Sequence, residues 1–175
     1  AIQRNSTRLS RLLNDLLDLS SIEAGQYTLD LQDYNLLPIM EQVSQNLEER
    51  YRAKNQQVVI ERNKNTELHA FCDREAVEQI LTNLVENAIK YTPEGSTIRL
   101  RTIEEEDVLC IEVEDNGLGI LAKHQPRLFE RFYRVDKGRS LDAGGTGLGL
   151  SIVRHLTDIM GGEVGMRTAE SGGSI

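Results

Sequence analysis

Residues 83–91, reading NLVENAIKY, constrain this chain more than any other stretch. At 100° per residue, Val77, Ile80, Leu81, Leu84, Val85 and Ala88 share one helical face, which must pack on a hydrophobic layer. Asn83, Asn87 and Lys90 line up on the other side. Asn is a poor helix former because its amide competes with the backbone, so two of them one turn apart need a reason. An oxygen-bearing row that ends in a cation suits a hard metal ion and the phosphates it carries. A plain solvated polar face is the alternative, and this segment alone leaves both open.

The 175 residues can bury one substantial core with room for a short appendage. A net charge of -8 argues against nucleic acid as the main partner. No apolar run reaches bilayer length and no signal peptide opens the chain, so the expectation is a soluble, cytoplasmic domain whose parent could be membrane-anchored. Cys72 and Cys110 sit in apolar surroundings without CxxC spacing and are expected as buried free thiols. The sequence starts inside a helical pattern and stops at Gly172-Gly173-Ser174-Ile175, which reads as a fragment.

Residues 1–24 repeat apolar positions at Ile2, Leu9 and Leu16, with a second row at Asn5, Leu12 and Leu19 and a stripe widened by Leu13 and Leu17. Such a helix belongs in a bundle, or folds back on the following domain, and Gly25 supplies its stop. The pattern then becomes α/β. A half-exposed strand is predicted at 27–34, an amphipathic helix at 36–54 with Pro38 in its first turn, and short strands at 57–62 and 68–72. Asp73 caps the Asn-bearing helix, which ends at Thr92-Pro93-Glu94-Gly95. Paired strands are predicted at 96–103 and 108–114, joined by an acidic turn at 104–107. A polar Gly-containing stretch follows at 121–145, then a helix at 147–160 and a final strand at 162–168. The order implies an α+β chain, a mixed sheet with helices on one face.

Three further segments carry chemistry. Asp115-Asn116-Gly117-Leu118-Gly119-Ile120 follows a strand, where a carboxylate can accept from an exocyclic amine and glycine backbone can approach a flat ring. Gly144-Gly145-Thr146-Gly147-Leu148-Gly149 opens a helix, whose free N–H groups and dipole suit phosphate. It is neither a Walker A loop nor a dinucleotide fingerprint. Between them, residues 123–139 hold six of the twenty Lys and Arg residues against Glu130 and Asp136, together with Phe129 and Phe132. A segment of local charge near +4 with aromatic anchors reads as a lid that closes on a polyphosphate.

In this order NLVENAIKYTPEG, EDNGLGI, RLFERFYRVD and GGTGLGLSIV resemble the asparagine box, first glycine box, phenylalanine box and second glycine box of sensor histidine kinases. That family belongs to the wider class of DNA gyrase, Hsp90 and mismatch-repair ATPases. The resemblance implies a two-layer α/β sandwich over residues 26–175. Residues 1–25 resemble the second helix of the dimerisation and histidine-phosphotransfer hairpin.

Roles follow from the resemblance. Asn87, assisted by Asn83, would hold Mg²⁺ on ATP, Lys90 would touch phosphate and Tyr91 would pack on the adenine or ribose. Asp115 would receive the adenine amine, with Gly117, Gly119 and Ile120 shaping that pocket. Phe132 and Tyr133 belong to the lid, whose Arg134 would approach the γ-phosphate. Gly145, Thr146, Gly147, Leu148 and Gly149 would border the phosphates. Glu86 could orient the nucleophile. His69, His124 and His155 lack the acidic neighbour of the family's phosphoacceptor and are expected to be structural or surface residues.

The implied activity is transfer of the γ-phosphate to a histidine on the first hairpin helix, outside this chain, and relay to an aspartate of a response regulator. The intact protein would dimerise through the hairpin. Asn83 fits that reading, because an amide cannot take a proton and a hydrolase of the wider class is expected to carry Glu there. The alternatives are an ATP-driven clamp or hydrolase and a serine kinase of the anti-sigma type.

Overall fold

A computed structural model describes residues 2–61, 68–105, 108–135, 146–169 and 172–175. Expectations that fall on Arg62, the turn at 106–107, the lid residues 136–143, and Gly144 and Gly145 lie outside the described residues. The chain forms two compact units, one from Asp30–Leu121 and Gly165–Ile175, the other from Ala1–Leu29 and Ala122–Val164.

In the first unit, β1 (Leu31–Asn35) pairs antiparallel with β3 (His69–Asp73). A second sheet places β4 (Thr97–Glu105) between β2 (Gln57–Glu61) and β5 (Val108–Asp115). Its β2–β4 pair is parallel and its β4–β5 pair antiparallel, so the sheet is mixed. A parallel pair requires a crossover, and here the chain passes through β3 and the helix α4 (Arg74–Tyr91) before β4 begins. The fold class is α+β.

The core follows from periodicity. On α4, Ala76, Val77, Leu81, Val85, Ala88 and Ile89 are buried, and α2 (Leu36–Asn46) buries Leu36, Ile39, Met40 and Val43. On β4, Ile98 and Leu100 are fully buried. Each buried Val, Leu, Ile or Met side chain among them contributes on the order of 1.5–3 kcal/mol through the apolar surface it removes from water. Arg99 and Arg101 take the alternate positions and pair with Glu61, Glu112 and Glu114. Arg167 also bonds Glu112.

Both ends of α4 are held by side chains. Asp73 Oδ1 accepts from the Ala76 N–H at 2.9 Å, as the sequence predicts for an N-cap. Thr92 leaves the helix at φ −90°, ψ 151°, the extended conformation favoured before Pro93.

In the second unit, α1 (Ile2–Glu23) packs on α5 (Gly149–Ile159). Leu19 and Ile22 are buried in this unit, as are Leu148, Ile152, Val153 and Leu156. Leu9, Leu13, Leu16 and Leu17 remain exposed. Gly25, at φ 65°, ends α1 as expected.

Four local expectations are corrected. The first strand starts at Leu31 rather than 27, because β3 offers partners only from His69 to Asp73 and alternation cannot supply a ladder. The helix expected over 36–54 breaks at Leu47, whose backbone sits at φ −101°, ψ 2° while its side chain stays buried; α3 (Glu48–Arg52) follows. The strand expected at 162–168 is reduced to a single bridge between Thr168 and Ser174 among the described residues, in a segment weakened by Gly162 and Gly165. Cys72 is buried and free as expected, and burial pushes its thiol pKa up, but Cys110 is exposed.

Candidate functional site

The first unit brings together α4 and the turn after β5. Asn83 and Asn87 are both half-buried on α4. Asn83 donates its amide N–H to the Gln79 carbonyl at 3.0 Å, which leaves Oδ1 as an available acceptor. Among the described residues the Asn87 amide has no protein partner. Nor do those residues contain any group of three His, Cys, Asp or Glu placed to hold an ion. The carboxamide oxygens of Asn83 and Asn87 are acceptors that this face of α4 would offer a divalent cation. Such a sparse set fits Mg²⁺, which keeps waters and phosphate oxygens as its other ligands. Lys90 places its ammonium 4.6 Å from the centroid of the exposed Tyr91 ring. Glu86 is engaged by Arg50 of α3 in an ion pair.

Asp115 stands half-buried at the end of β5. Its Oδ1 accepts from the Gly117 N–H at 2.8 Å, and its own N–H donates to the Ser174 carbonyl at 2.8 Å. Burial raises its pKa above the ordinary carboxylate value; the hydrogen bonds from Gly117 and Ser174 oppose that rise without cancelling it. A Cβ on Gly117 would lie 2.8 Å from Asp115 Oδ1 and 2.9 Å from Thr92 Cγ2, so only glycine fits the turn. The Asn116 side chain accepts from the Thr97 N–H at 3.0 Å and ties the same turn to β4.

Two residues that the sequence did not single out, Lys54 and Gln56, brace this region. Lys54 Nζ donates to the carbonyls of Ile89 at 2.5 Å and Thr92 at 2.9 Å, placing a cation on the negative end of α4. Gln56 Nε2 donates to Thr92 Oγ1 at 2.8 Å, and the Thr92 hydroxyl donates to the Ala88 carbonyl at 2.7 Å. The separations in sequence, 38 residues for Lys54 and 36 for Gln56, hide these contacts from any local pattern.

In the second unit the segment expected as a lid and the second glycine box meet through backbone. The Phe132 N–H donates to the Gly147 carbonyl at 2.9 Å. Gly147 takes φ 79°, and a Cβ there would come within 3.0 Å of Phe132 Cα. Phe132 itself sits at φ 59° and is 59% exposed, whereas Leu128 is the buried anchor of this segment and Phe129 is half-buried. A bulky residue in the left-handed region is strained backbone of the kind that collects at ligand clamps. The Tyr133 hydroxyl meets His124 Nδ1 at 2.7 Å, and the Arg127 guanidinium lies 4.3 Å from the Tyr133 centroid. Arg134 is half-buried. Thr146 donates its hydroxyl to Asp15 of α1 at 2.8 Å and accepts from the Leu148 N–H at 3.2 Å, just before α5 starts at Gly149. Gly145 lies outside the described residues.

Residues 72–175 match the family model described as histidine kinase-, DNA gyrase B-, and HSP90-like ATPase. The chain belongs to that family. Within it, the chain is 36% identical to sensor histidine kinase WalK of Bacillus subtilis over 98% of its own length and 28% of WalK. It is 34% identical to the circadian input-output histidine kinase CikA of Synechococcus elongatus, over 99% of this chain and 23% of CikA. It thus spans about a quarter of the curated relatives it matches.

Solved structures agree with this family membership. The catalytic domain of histidine kinase ThkA superposes with a TM-score of 0.72 at 28% identity, covering 82% of this chain and 90% of that one. Full-length ShkA in complex with AMPPNP gives 0.79 at 28% identity, covering 92% of this chain and 33% of ShkA. ThkA in complex with the response regulator TrrA gives 0.73 at 25% identity, covering 95% of this chain and 46% of that one. In this family member, Asn83, Glu86, Asn87, Lys90, Tyr91, Asp115, Gly117, Gly119 and Ile120 lie in the first unit. Phe132, Tyr133, Arg134, Thr146, Gly147, Leu148 and Gly149 lie in the second. The histidines each have a hydrogen-bond partner, His69 with Asp33, His124 with Tyr133 and His155 with the Ser151 carbonyl.

Proposed function

We propose that this chain is the catalytic core of a two-component sensor histidine kinase. Residues 26–175 are the ATP-binding catalytic domain, and residues 1–25 are the second helix of the dimerisation and phosphotransfer hairpin. The observation that carries the reading is the Asn83 and Asn87 pair, two carboxamides on one side of α4, one with its oxygen available and the other without a protein partner among the described residues. ATP hydrolases of the wider class are expected to carry a Glu at this position to activate water, and Asn83 cannot accept a proton. An imidazole already carries a lone pair, so transfer to histidine needs positioning and charge neutralisation instead.

Each residue then has a task. Asn87 and Asn83 would hold the metal of Mg-ATP through their carboxamide oxygens, and Lys90 would take a phosphate. The ion, when bound, would offset phosphate charge. Asp115 accepts a hydrogen bond from the adenine amine, and Tyr91 covers the base or ribose. Gly117, Gly119 and Ile120 form the walls beside Asp115. Gly145, Thr146, Gly147, Leu148 and Gly149 would border the phosphates, while Arg134, carried with Phe132 and Tyr133 in the lid, would approach the γ-phosphate. The acceptor imidazole nitrogen forms a bond to γ-phosphorus as the bond to the β,γ-bridging oxygen breaks, and ADP leaves. Glu86 is held by Arg50, so it could orient the nucleophile only after that pair opens. The phosphate would pass to the receiver aspartate of a response regulator, from a homodimeric, cytoplasmic catalytic portion. Among the described residues no helix is long and apolar enough to cross a membrane.

The direct test mixes the chain with magnesium, γ-radiolabelled ATP and a separately made hairpin that carries the acceptor histidine. Label should move to the hairpin and not to this chain. Release of inorganic phosphate without labelled hairpin would instead favour the hydrolase.

A further inference from the structure

We propose that Gln56 and Thr92 are positioning residues for the Asp115 carboxylate and thereby set the preference for adenine over other bases. This rests on the reading of Asp115 as the base-recognition group.

Gln56 is 3% exposed, and its Nε2 faces Thr92 Oγ1 at 2.8 Å, the Pro93 carbonyl at 3.0 Å, and the Ile89 and Thr92 carbonyls at 3.2 Å. Lys54 already serves the carbonyls of Ile89 and Thr92. What Gln56 alone adds is a grip on the Thr92 hydroxyl and the Pro93 carbonyl. Its own Oε1 is buried without a protein partner among the described residues.

Thr92 is 4% exposed and fully engaged. Its hydroxyl proton goes to the Ala88 carbonyl, and its oxygen receives the Gln56 amide. The two bonds fix the side-chain rotamer, so the methyl Cγ2 has one position. That methyl faces Gly117: the point where a Cβ would sit on Gly117 is 2.9 Å from Cγ2 and 2.8 Å from Asp115 Oδ1. Gly117 is therefore wedged between the methyl and the carboxylate to which its N–H donates at 2.8 Å. A continuous path of bonds and contacts runs from Gln56 through Thr92 and Gly117 to Oδ1.

An ionised carboxylate accepts from the 6-amino group of adenine, whereas guanine carries an oxygen at that position and its amine at C2. Displacing Oδ1 by a few tenths of an ångström would weaken the base interaction and leave phosphate binding alone.

The test titrates the full chain, as wild type, Thr92→Ser and Gln56→Met, with Mg-ATP, Mg-GTP and inorganic pyrophosphate. Thr92→Ser keeps the hydroxyl and the helix end but deletes the methyl. Gln56→Met keeps the length but deletes the grip. Each should raise the Kd for ATP roughly five- to tenfold and narrow the preference for ATP over GTP, with pyrophosphate affinity unchanged. Parallel losses for ATP and pyrophosphate would reduce both residues to supports of the helix end, and unchanged ATP affinity would remove their role altogether. A wild-type chain that takes up pyrophosphate but does not prefer ATP to GTP would overturn the reading of Asp115 itself, and this inference with it.

Discussion

Asp115 joins partial burial to a carboxylate that, as the proposed acceptor for adenine, works in its ionised form. Its pKa lies above the ordinary value because burial disfavours the charge, and the Gly117 and Ser174 hydrogen bonds do not fully compensate. Lowering the pH through that raised pKa removes the acceptor, so ATP affinity should begin to fall before an unperturbed aspartate would protonate. Asp115→Asn should weaken ATP far more than pyrophosphate and flatten that acid limb; calorimetric titrations across the pH range would read both effects. Asn87→Ala should abolish magnesium-dependent phosphotransfer, and unchanged turnover in a radiolabel assay would remove Asn87 from the metal site. Asp115 and Gly117 could be read from the sequence because their bond spans two residues. Gln56 and Thr92 could not, because 36 residues separate them and nothing local marks the pairing.

Among the elements, α4 carries both the core and the side proposed to hold ATP, and the two can be perturbed separately. Leu81 is 1% exposed, so Leu81→Ala should cost about 2–5 kcal/mol in urea denaturation through lost transfer energy and a residual cavity. On the sheet, Glu112 is buried beneath Arg101 and Arg167. Burial alone would raise its pKa, yet the two arginine hydrogen bonds outweigh it and hold the carboxyl below the ordinary value. A carboxylate depressed on folding stabilises above its unfolded pKa and loses that contribution as pH falls through the folded pKa. Glu112→Gln should therefore cost about 1–3 kcal/mol near neutrality, since both arginines are partly screened by solvent, and should lessen the loss of stability on the acid side. Element type was legible wherever apolar period was strong, as in α1, α4, β4, β5 and α5. The break at Leu47 and the missing strand at 162–168 were not, because both depend on tertiary partners rather than on local preference.

For the whole molecule, the family could be read from four short ordered motifs, and the α+β architecture followed from it. The contacts that brace the motifs, Lys54 and Gln56 on the end of α4 and Asp15 on Thr146, join residues distant in sequence and became visible only in the fold. The central claim is that carboxamide oxygens of α4 and a magnesium ion together hold ATP. Isothermal titration of the wild-type chain and Asn87→Ala with ATP, with magnesium and with chelator, tests it most directly. The account predicts uptake by the wild type that is strongest with magnesium, and loss of the magnesium-dependent part in the variant. Equal binding by both proteins with and without the ion, or none by the folded wild type, would contradict it.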